Sequence, residues 1–286
     1  MQRKRPLVVG ADGTIAAALI RALEARGQRP LATTRSGRPG TLRLDLTEDL
    51  DAWTPPADVG TVFLCAALTS TALCRTELDM ARRVNVDAPA LLARRVADAG
   101  GRAFFLSTNL VFDGSVPAPA PDRPVCPRTV YGRLKADAEA RILALGESGC
   151  VLRLSKVIQP GFPLFASWLA ELRRGKTISP FADMRMAPVS LDLAVRAIVG
   201  LDQGGRAGIR QLSAPDDISY ARAASLLREA AHAPGRVRPE SWKTRLPDLE
   251  HVPDHTTLDS SLAAGELGLT IPASEAVVAR AVKELQ

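Results

Sequence analysis

The sequence predicts an α/β chain built on a doubly wound parallel sheet, with a smaller lobe toward the C-terminus. Short apolar runs alternate with amphipathic segments through the first 155 residues, and a glycine turn directly follows the first of those runs. From about Gln159 the pattern becomes less regular and richer in Pro and Gly. With 286 residues, 46% hydrophobic and 24% charged, the chain suits one α/β domain carrying an appended lobe, and neither disorder nor a fibrous architecture is indicated.

The opening MQRKR-PLVVG has the charged start of a secretion signal. Ala11-Asp12-Gly13 ends its apolar run after five residues, so the segment reads as a first strand, Leu7 to Val9. A helix follows from the glycine turn to about Arg26. Further strands are expected at Pro30 to Thr34, Thr41 to Leu44, Thr61 to Cys65, Ala103 to Leu106 and Val151 to Leu154. The clearest intervening helix carries Val84, Ala88, Leu92 and Val96 at four-residue spacing and is ended by Gly100-Gly101. Right-handed crossovers then place helices on both sheet faces and gather the strand carboxyl ends on one ligand-binding edge. "QPGFPLFASWLAELRRGK" reads as a loop and then a helix, with further helices at 219–233 and 274–285. The expected division is 1–158, with later strands near 186–213 returning to it, and 159–286 as mainly the second lobe.

Composition excludes several classes. No stretch approaches the ~20 apolar residues of a membrane span. Cys65, Cys74, Cys126 and Cys150 form no CxxC pair, which fits a reducing cytoplasm. The formal net charge is +6, with Arg3, Lys4 and Arg5 at the N-terminus, and aromatic residues are only 4%, so no aromatic basic stripe marks a nucleic-acid partner. His251 and His255 are four apart, but Pro253 breaks the helix an HxxxH metal pair needs, and no metal is expected. No G-x-S-x-G accompanies Ser107 to make a hydrolase site.

"PLVVGADGTIAAALIRAL" places Gly10 after a buried strand and Gly13 at a helix entry. A dinucleotide pyrophosphate needs a backbone without side chains in the way and the free N–H groups of a helix start, which Gly10, Asp12, Gly13, Thr14 and Ile15 supply. The pattern is G-x-x-G-x-x-A, with Ala16 where helix and strand pack closely. A structural turn of the same shape is the plain alternative. The second strand ends in "ATTRS", so Arg35 stands where an NAD site carries an acidic residue on the ribose hydroxyls. A cation there favours a 2′-phosphate, and NADP(H) is expected, with NAD(H) left open. Asp45 and Leu46, in "RLDLTED", can border the adenine, or Asp45 can cap a following short helix.

Tyr131 is one of two tyrosines, and Lys135 one of six lysines against 31 arginines. Four residues apart on a helix, they share a face. An ammonium ~6 Å from a phenol, at an effective dielectric of about 20, favours the phenolate by about 3 kcal/mol, or roughly two pKa units. That would bring Tyr131 toward a usable proton donor and acceptor near neutrality. The bland reading is a tyrosine resting on a lysine stem. Upstream, "RAFFLSTNLVFDG" is a strand ending in Ser107-Thr108 at the same carboxyl edge. Thr108, Tyr131 and Lys135 together polarise a ketone, protonate its oxygen and leave hydride delivery to the cofactor.

G-x-x-G after the first strand, "CAALTS", "ARRVN", "STNLVFDG" and "YGRLKADAE" together resemble the extended short-chain dehydrogenase/reductase superfamily. Within it they resemble the dTDP-4-dehydrorhamnose reductase group. The likeness extends through "VLRLSKV", "APVSLDLA", "GIRQLSAPDDISYARAA" and "HTTLDSSLAAGELGL", nearly the whole chain. It implies a Rossmann-type sheet with a smaller C-terminal substrate-binding lobe, and NADPH-dependent reduction of a keto group, at C4, of a nucleotide-activated sugar. Thr108, Tyr131 and Lys135 match the catalytic set, and Lys135 is implied to hold the nicotinamide ribose. Gly10, Gly13, Cys65, Ala66 and Ala67 match segments lining the dinucleotide. Asn85 matches a structural asparagine buried against a neighbouring strand. Thr69, Thr108, Asn109 and Phe112 fall on the substrate side.

Asn109 stands where the group commonly has Asp, and Lys156 where an aromatic is more usual; both bear on which sugar is taken. A dehydratase needs an Asp-Glu pair after the Thr, and Asn109-Leu110 argue against one. A sugar-nucleotide epimerase and a non-catalytic NADP-binding regulator stay open, as does a homodimer, the commonest soluble assembly. Trp168, with Phe162 and Phe165, reads either as a base pocket or as core. Arg185 is the candidate diphosphate contact.

Overall fold

The computed structural model describes residues 4–246 and 248–285. The chain resolves into two compact units. The first is the chain up to Phe112, Pro124–Arg153 and Val195–Arg210; the second is Asp113–Arg123, Leu154–Ala194 and the chain from Gln211 onward.

In chain order the strands are β1 (Arg5–Val9), β2 (Leu31–Thr34), β3 (Leu42–Arg43), β4 (Val59–Leu64), β5 (Arg102–Thr108), β6 (Gly149–Leu154), β7 (Val157–Ile158), β8 (Thr177–Ile178), β9 (Arg185–Met186), β10 (Val189–Ser190), β11 (Gly208–Leu212), β12 (Ile218–Ser219) and β13 (Arg236–Val237). The helices are α1 (Thr14–Glu24), α2 (Thr71–Thr76), α3 (Leu78–Arg82), α4 (Ala88–Asp98), α5 (Val130–Leu143), α6 (Pro163–Arg173), α7 (Leu191–Gln203), α8 (Tyr220–Ala230), α9 (Trp242–Arg245), α10 (Ser261–Leu267) and α11 (Ser274–Lys283).

A seven-stranded parallel sheet runs in the order β11-β6-β5-β4-β1-β2-β3. The order reverses between β1 and β4, so their carboxyl ends diverge there into the crevice where doubly wound sheets bind ligands. Val9 lies opposite Thr33 of β2 and Leu64 of β4, and Leu64 opposite Phe105 of β5, which brings the ends of all four strands to one edge. Leu7, Val9, Val62, Leu64, Ala103 and Phe105 form a core with Leu92 and Val96 of α4 and Ala138 and Ile142 of α5. β1 to β6 fall within two residues of their expected bounds; continuous apolar runs mark β1, β4, β5 and β6 as strands covered on both faces.

The expected helix from Val84 is interrupted. Arg83–Asp87 form a π-helical turn between α3 and α4, which seats Asn85 in the interior. Of the later strands near 186–213, β11 joins the large sheet. β9 and β10 stay in the second unit, where β9 pairs with β12 antiparallel and β10 with β7 parallel. The core of that unit joins Phe165 and Leu169 of α6, Leu227 of α8, Met186, Ile218, and Val277, Val278 and Val282 of α11.

Candidate active site

At the first crossover Gly10 has φ +85°, a left-handed conformation that glycine adopts freely. A Cβ there would stand 2.6 Å from the Ala66 Cβ and 2.9 Å from its Cα. The turn after β1 and the loop after β4 therefore touch, and only a hydrogen allows it. The Gly10 and Ala11 amides donate to the Thr33 Oγ1 (3.3 Å) and carbonyl (2.8 Å), fixing the turn to the end of β2. Gly13 is the N-cap of α1 and offers no side-chain cap, so the first-turn amides at Thr14 and Ile15 stay available to an anion. A turn closed to any Cβ and an uncapped helix start fit a dinucleotide diphosphate.

The loop after β2 is built around Thr34, whose Oγ1 accepts from the Gly37 and Arg38 amides and lies 2.8 Å from Thr41 Oγ1. It presents two exposed cations. Arg35 pairs with Asp45 at 3.6 Å and Arg38 with Asp12 at 3.2 Å. Arg38 was not singled out in the sequence, although "TRSGR" repeats a cation three positions on. Asp45 caps a turn, not a helix: its Oδ1 accepts from the Thr47 amide (2.9 Å) and hydroxyl (2.7 Å). Burial works against its ionised form, but those two bonds and the charges of Arg35 and Arg43 hold it below the ordinary carboxylate range. The Leu46 side chain is buried in the sheet core.

Beyond β4, Cys65, Ala66 and Ala67 are half-buried and Thr69 is exposed. Asn85 clamps this loop. Its Oδ1 accepts from the Leu68 amide at 2.9 Å and its Nδ2 donates to the Leu68 carbonyl at 3.0 Å. It is thus anchored to the loop after the strand, where the sequence expectation was the strand itself, because the π turn pushes its side chain toward that loop.

β5 ends in Thr108, which caps the short turn Asn109–Val111 by accepting the Leu110 amide at 3.2 Å. That bond occupies a lone pair and leaves the hydroxyl hydrogen for a ligand. α5 begins at Val130 behind its Thr129 cap, and a Cβ on Gly132 would stand 2.2 Å from the Leu110 carbonyl oxygen. The missing side chain presses the first turn of α5 onto the turn that Thr108 caps, with Tyr131 beside Leu110, Leu134, Cys74 and Val86. Gly132→Ala is expected to lift that turn away, costing about 1–3 kcal/mol of stability by overpacking and at least ~10-fold in turnover. Thermal denaturation and steady-state kinetics check both. Lys135, 2% exposed, donates from Nζ to the Leu106 carbonyl at 2.5 Å, with the Phe105 ring centroid 3.7 Å away. Asn109 is half-buried beside them, whereas Phe112 is buried with the Arg153 guanidinium 5.0 Å from its ring.

Electrostatics correct the expected roles of the pair. Burial, aided by the Cys74 thiol, pushes the Tyr131 phenol above its ordinary value, so Lys135 does not bring it toward neutrality. Burial instead draws Lys135 down to about 7, against the pull of Glu139 and Cys65. The Cys65 thiol is pushed up to about 12, again by burial, with Lys135 opposing. Both members of the pair lose more by leaving water than the sequence distance could reveal. Tyr131 accordingly keeps its proton throughout the physiological range, as a proton donor must.

In the second unit, Trp168 is half-buried and packs on the core, stacked on Phe165 (5.9 Å) and edge-on to Tyr220 (6.2 Å). Arg185 is exposed and lines a cavity of about 300 Å³ with Asp216, Asp217, Ser219, Arg222 and Glu275. His255 Nδ1 lies 3.1 Å from Asp217 Oδ2, and His251 Nε2 lies 2.6 Å from the Asp113 carbonyl, so the two imidazoles are held apart by different partners. Among the described residues no helix is long and apolar enough to cross a membrane.

The family model described as RmlD substrate binding domain matches residues 4–286. The chain belongs to this family. It is 32% identical over 247 residues to the "Probable dTDP-4,6-dihydroxy-2-methyloxan-3-one 4-ketoreductase" of Streptomyces antibioticus, covering 82% of this chain and 80% of the relative. It is 31% identical over 253 residues to the dTDP-4-dehydrorhamnose reductase of Streptomyces griseus, covering 83% and 80%. The dTDP-4-dehydrorhamnose reductase of Bacillus anthracis, solved in complex with NADP, shares the fold with a TM-score of 0.83 at 20% identity, covering 99% and 100%. The matched span takes in Gly10, Thr108, Tyr131 and Lys135.

Proposed function

We propose that this chain is an NADPH-dependent reductase of the C4 keto group of a nucleotide-activated, dTDP-linked sugar. The observation that carries the reading is the close approach at Gly132, which packs the Tyr131 turn onto the turn capped by Thr108. Relatives named as reductases of dTDP-4-keto sugars supply the substrate class.

In this reading the Thr108 hydroxyl donates to the ketone oxygen and holds it. Tyr131 gives its proton to that oxygen as the carbonyl is reduced. The Lys135 ammonium offsets the charge left on the phenol and anchors the ribose beside it. NADPH, when bound, supplies the hydride for the carbonyl carbon. Gly10, Gly13, Thr14 and Ile15 would hold its diphosphate, and Cys65, Ala66 and Ala67 would flank the dinucleotide. Arg35, joined by Arg38, would hold the 2′-phosphate. In the first unit Thr69 and Asn109 are proposed as substrate-side residues; in the second, separately, Trp168 and Arg185 are proposed as sugar-nucleotide contacts.

Two exposed cations favour the 2′-phosphate, so NADPH is expected to bind more tightly than NADH. Fluorescence titration with both cofactors measures the ratio, and a ~10-fold preference for NADH, about 1.4 kcal/mol, would contradict it. Incubation with NADPH and a panel of dTDP-4-keto sugars tests the reaction. Loss of reduced-nicotinamide absorbance with one of them supports the reductase, whereas silence despite tight NADPH binding supports a non-catalytic cofactor-binding protein.

A further inference from the structure

Tyr131, Lys135 and Glu139 follow one another at four-residue spacing on α5, and all three are buried. The Glu139 side chain is 3% exposed and its partner Arg153, on β6, 2%. Arg153 grips both carboxylate oxygens, with Nε at 3.0 and 3.2 Å and Nη2 at 2.7 Å. An ion pair this deep contributes little net stability, since taking both charges out of water offsets their attraction. Its location one turn from Lys135 supplies another role. A buried ammonium tends to release its proton, and the groups that oppose this must be anionic and fixed.

We propose that Glu139, clamped by Arg153, is a positioning residue that keeps the Lys135 ammonium charged in the interior beneath Tyr131. Its catalytic consequence rests on the reductase reading; its electrostatic content does not. Among the described residues around Lys135, Glu139 is the fixed anion. β5 contributes the Leu106 carbonyl, the Phe105 ring and, on the same strand face, the Ser107 hydroxyl, all neutral. The loop after β4 contributes the Cys65 thiol, and α2 the Cys74 thiol that faces Tyr131. The π turn contributes Asn85, bound to Leu68, and Asp87, engaged by Arg141 at the surface; α3 contributes Arg82, engaged by Asp137 at the surface. Burial draws Lys135 down to about 7, and Glu139 is the larger of the two opposing influences.

The chain holds only six lysines, so carbon-13 labelling of lysine gives a sparse spectrum in which Lys135→Met assigns the Lys135 signal. In Glu139→Gln the Lys135 titration midpoint is expected to fall by at least ~1 pH unit, and in Glu139→Asp to stay within ~0.5 unit. The alkaline limb of turnover should move down with the midpoint in the first variant and return in the second, which a merely structural role would not produce. A folded Glu139→Gln with an unchanged midpoint overturns the proposal. If the lone substitution strands Arg153 and prevents folding, Glu139→Gln combined with Arg153→Met removes both charges. A smaller fall in the same direction, at least ~0.5 unit, then supports the proposal, and no fall overturns it. Because the titration is read without turnover, a wild-type protein that titrates as described but reduces no sugar contradicts the reductase reading alone.

Discussion

Tyr131→Phe lowers turnover at least ~100-fold, about 2.7 kcal/mol on the barrier, and leaves NADPH affinity within about twofold. The ring packs among Cys74, Ala81, Val86 and Leu134, and phenylalanine fills the same space, so the substitution removes a proton and little packing. The size of the loss is that of a missing general acid. Since burial keeps the phenol protonated across the physiological range, tyrosine ionisation does not limit reduction there. A fall in turnover above neutrality instead reports Lys135, whose midpoint lies at about 7. Stopped-flow single turnovers separate this loss from cofactor binding. A Phe variant retaining more than a tenth of wild-type turnover would mean that the proton comes from another group.

Gly10→Ala is expected to weaken NADPH binding at least ~100-fold, about 2.7 kcal/mol, and to destabilise the folded chain by about 2–5 kcal/mol. Two effects add. The left-handed φ of +85° is unfavourable for any residue with a Cβ, and that Cβ would overlap Ala66 in the facing loop. Relief requires the turn after β1 and the loop after β4 to separate, which moves the surface proposed to hold the dinucleotide. Gly27→Ala is the control. It carries a comparable φ of +71° with nothing within 4 Å, so it should show the conformational penalty alone, about 1–2 kcal/mol, with NADPH affinity retained. Calorimetric titration and thermal unfolding of both variants distinguish strain from collision.

The parts of this molecule that local chemistry determines were legible in the sequence. Continuous apolar runs marked β1, β4, β5 and β6, and the glycine turn and the YxxxK spacing marked segments that the fold places at one sheet edge. What escaped was set by burial or by distant partners. The expected lowering of the Tyr131 pKa assumed a partly wet site; in the fold both groups are desolvated, and Lys135 shifts instead. The Glu139–Arg153 pair joins residues on separate elements, and neither has a periodic signal to announce it. Phe112 and Leu46 looked available beside motif residues, yet both are buried. The π turn at Arg83–Asp87 was hidden because the four-residue apolar spacing starts at Val84, within the turn, and continues unbroken through Ala88, Leu92 and Val96. α7 was not singled out, although Leu193, Ala194, Ala197, Ile198 and Leu201 mark one buried face at helical spacing.

The most direct test is a single turnover with NADPH deuterated at the transferable position of the nicotinamide, a dTDP-4-keto-6-deoxy sugar and protein in excess. Wild-type protein should place deuterium on C4 of the sugar, and Tyr131→Phe, with cofactor bound, should leave the ketone unreduced on the same timescale. A sugar recovered without deuterium, or carrying it on another ring carbon, would contradict a ketone reduced at C4 with its proton drawn from Tyr131.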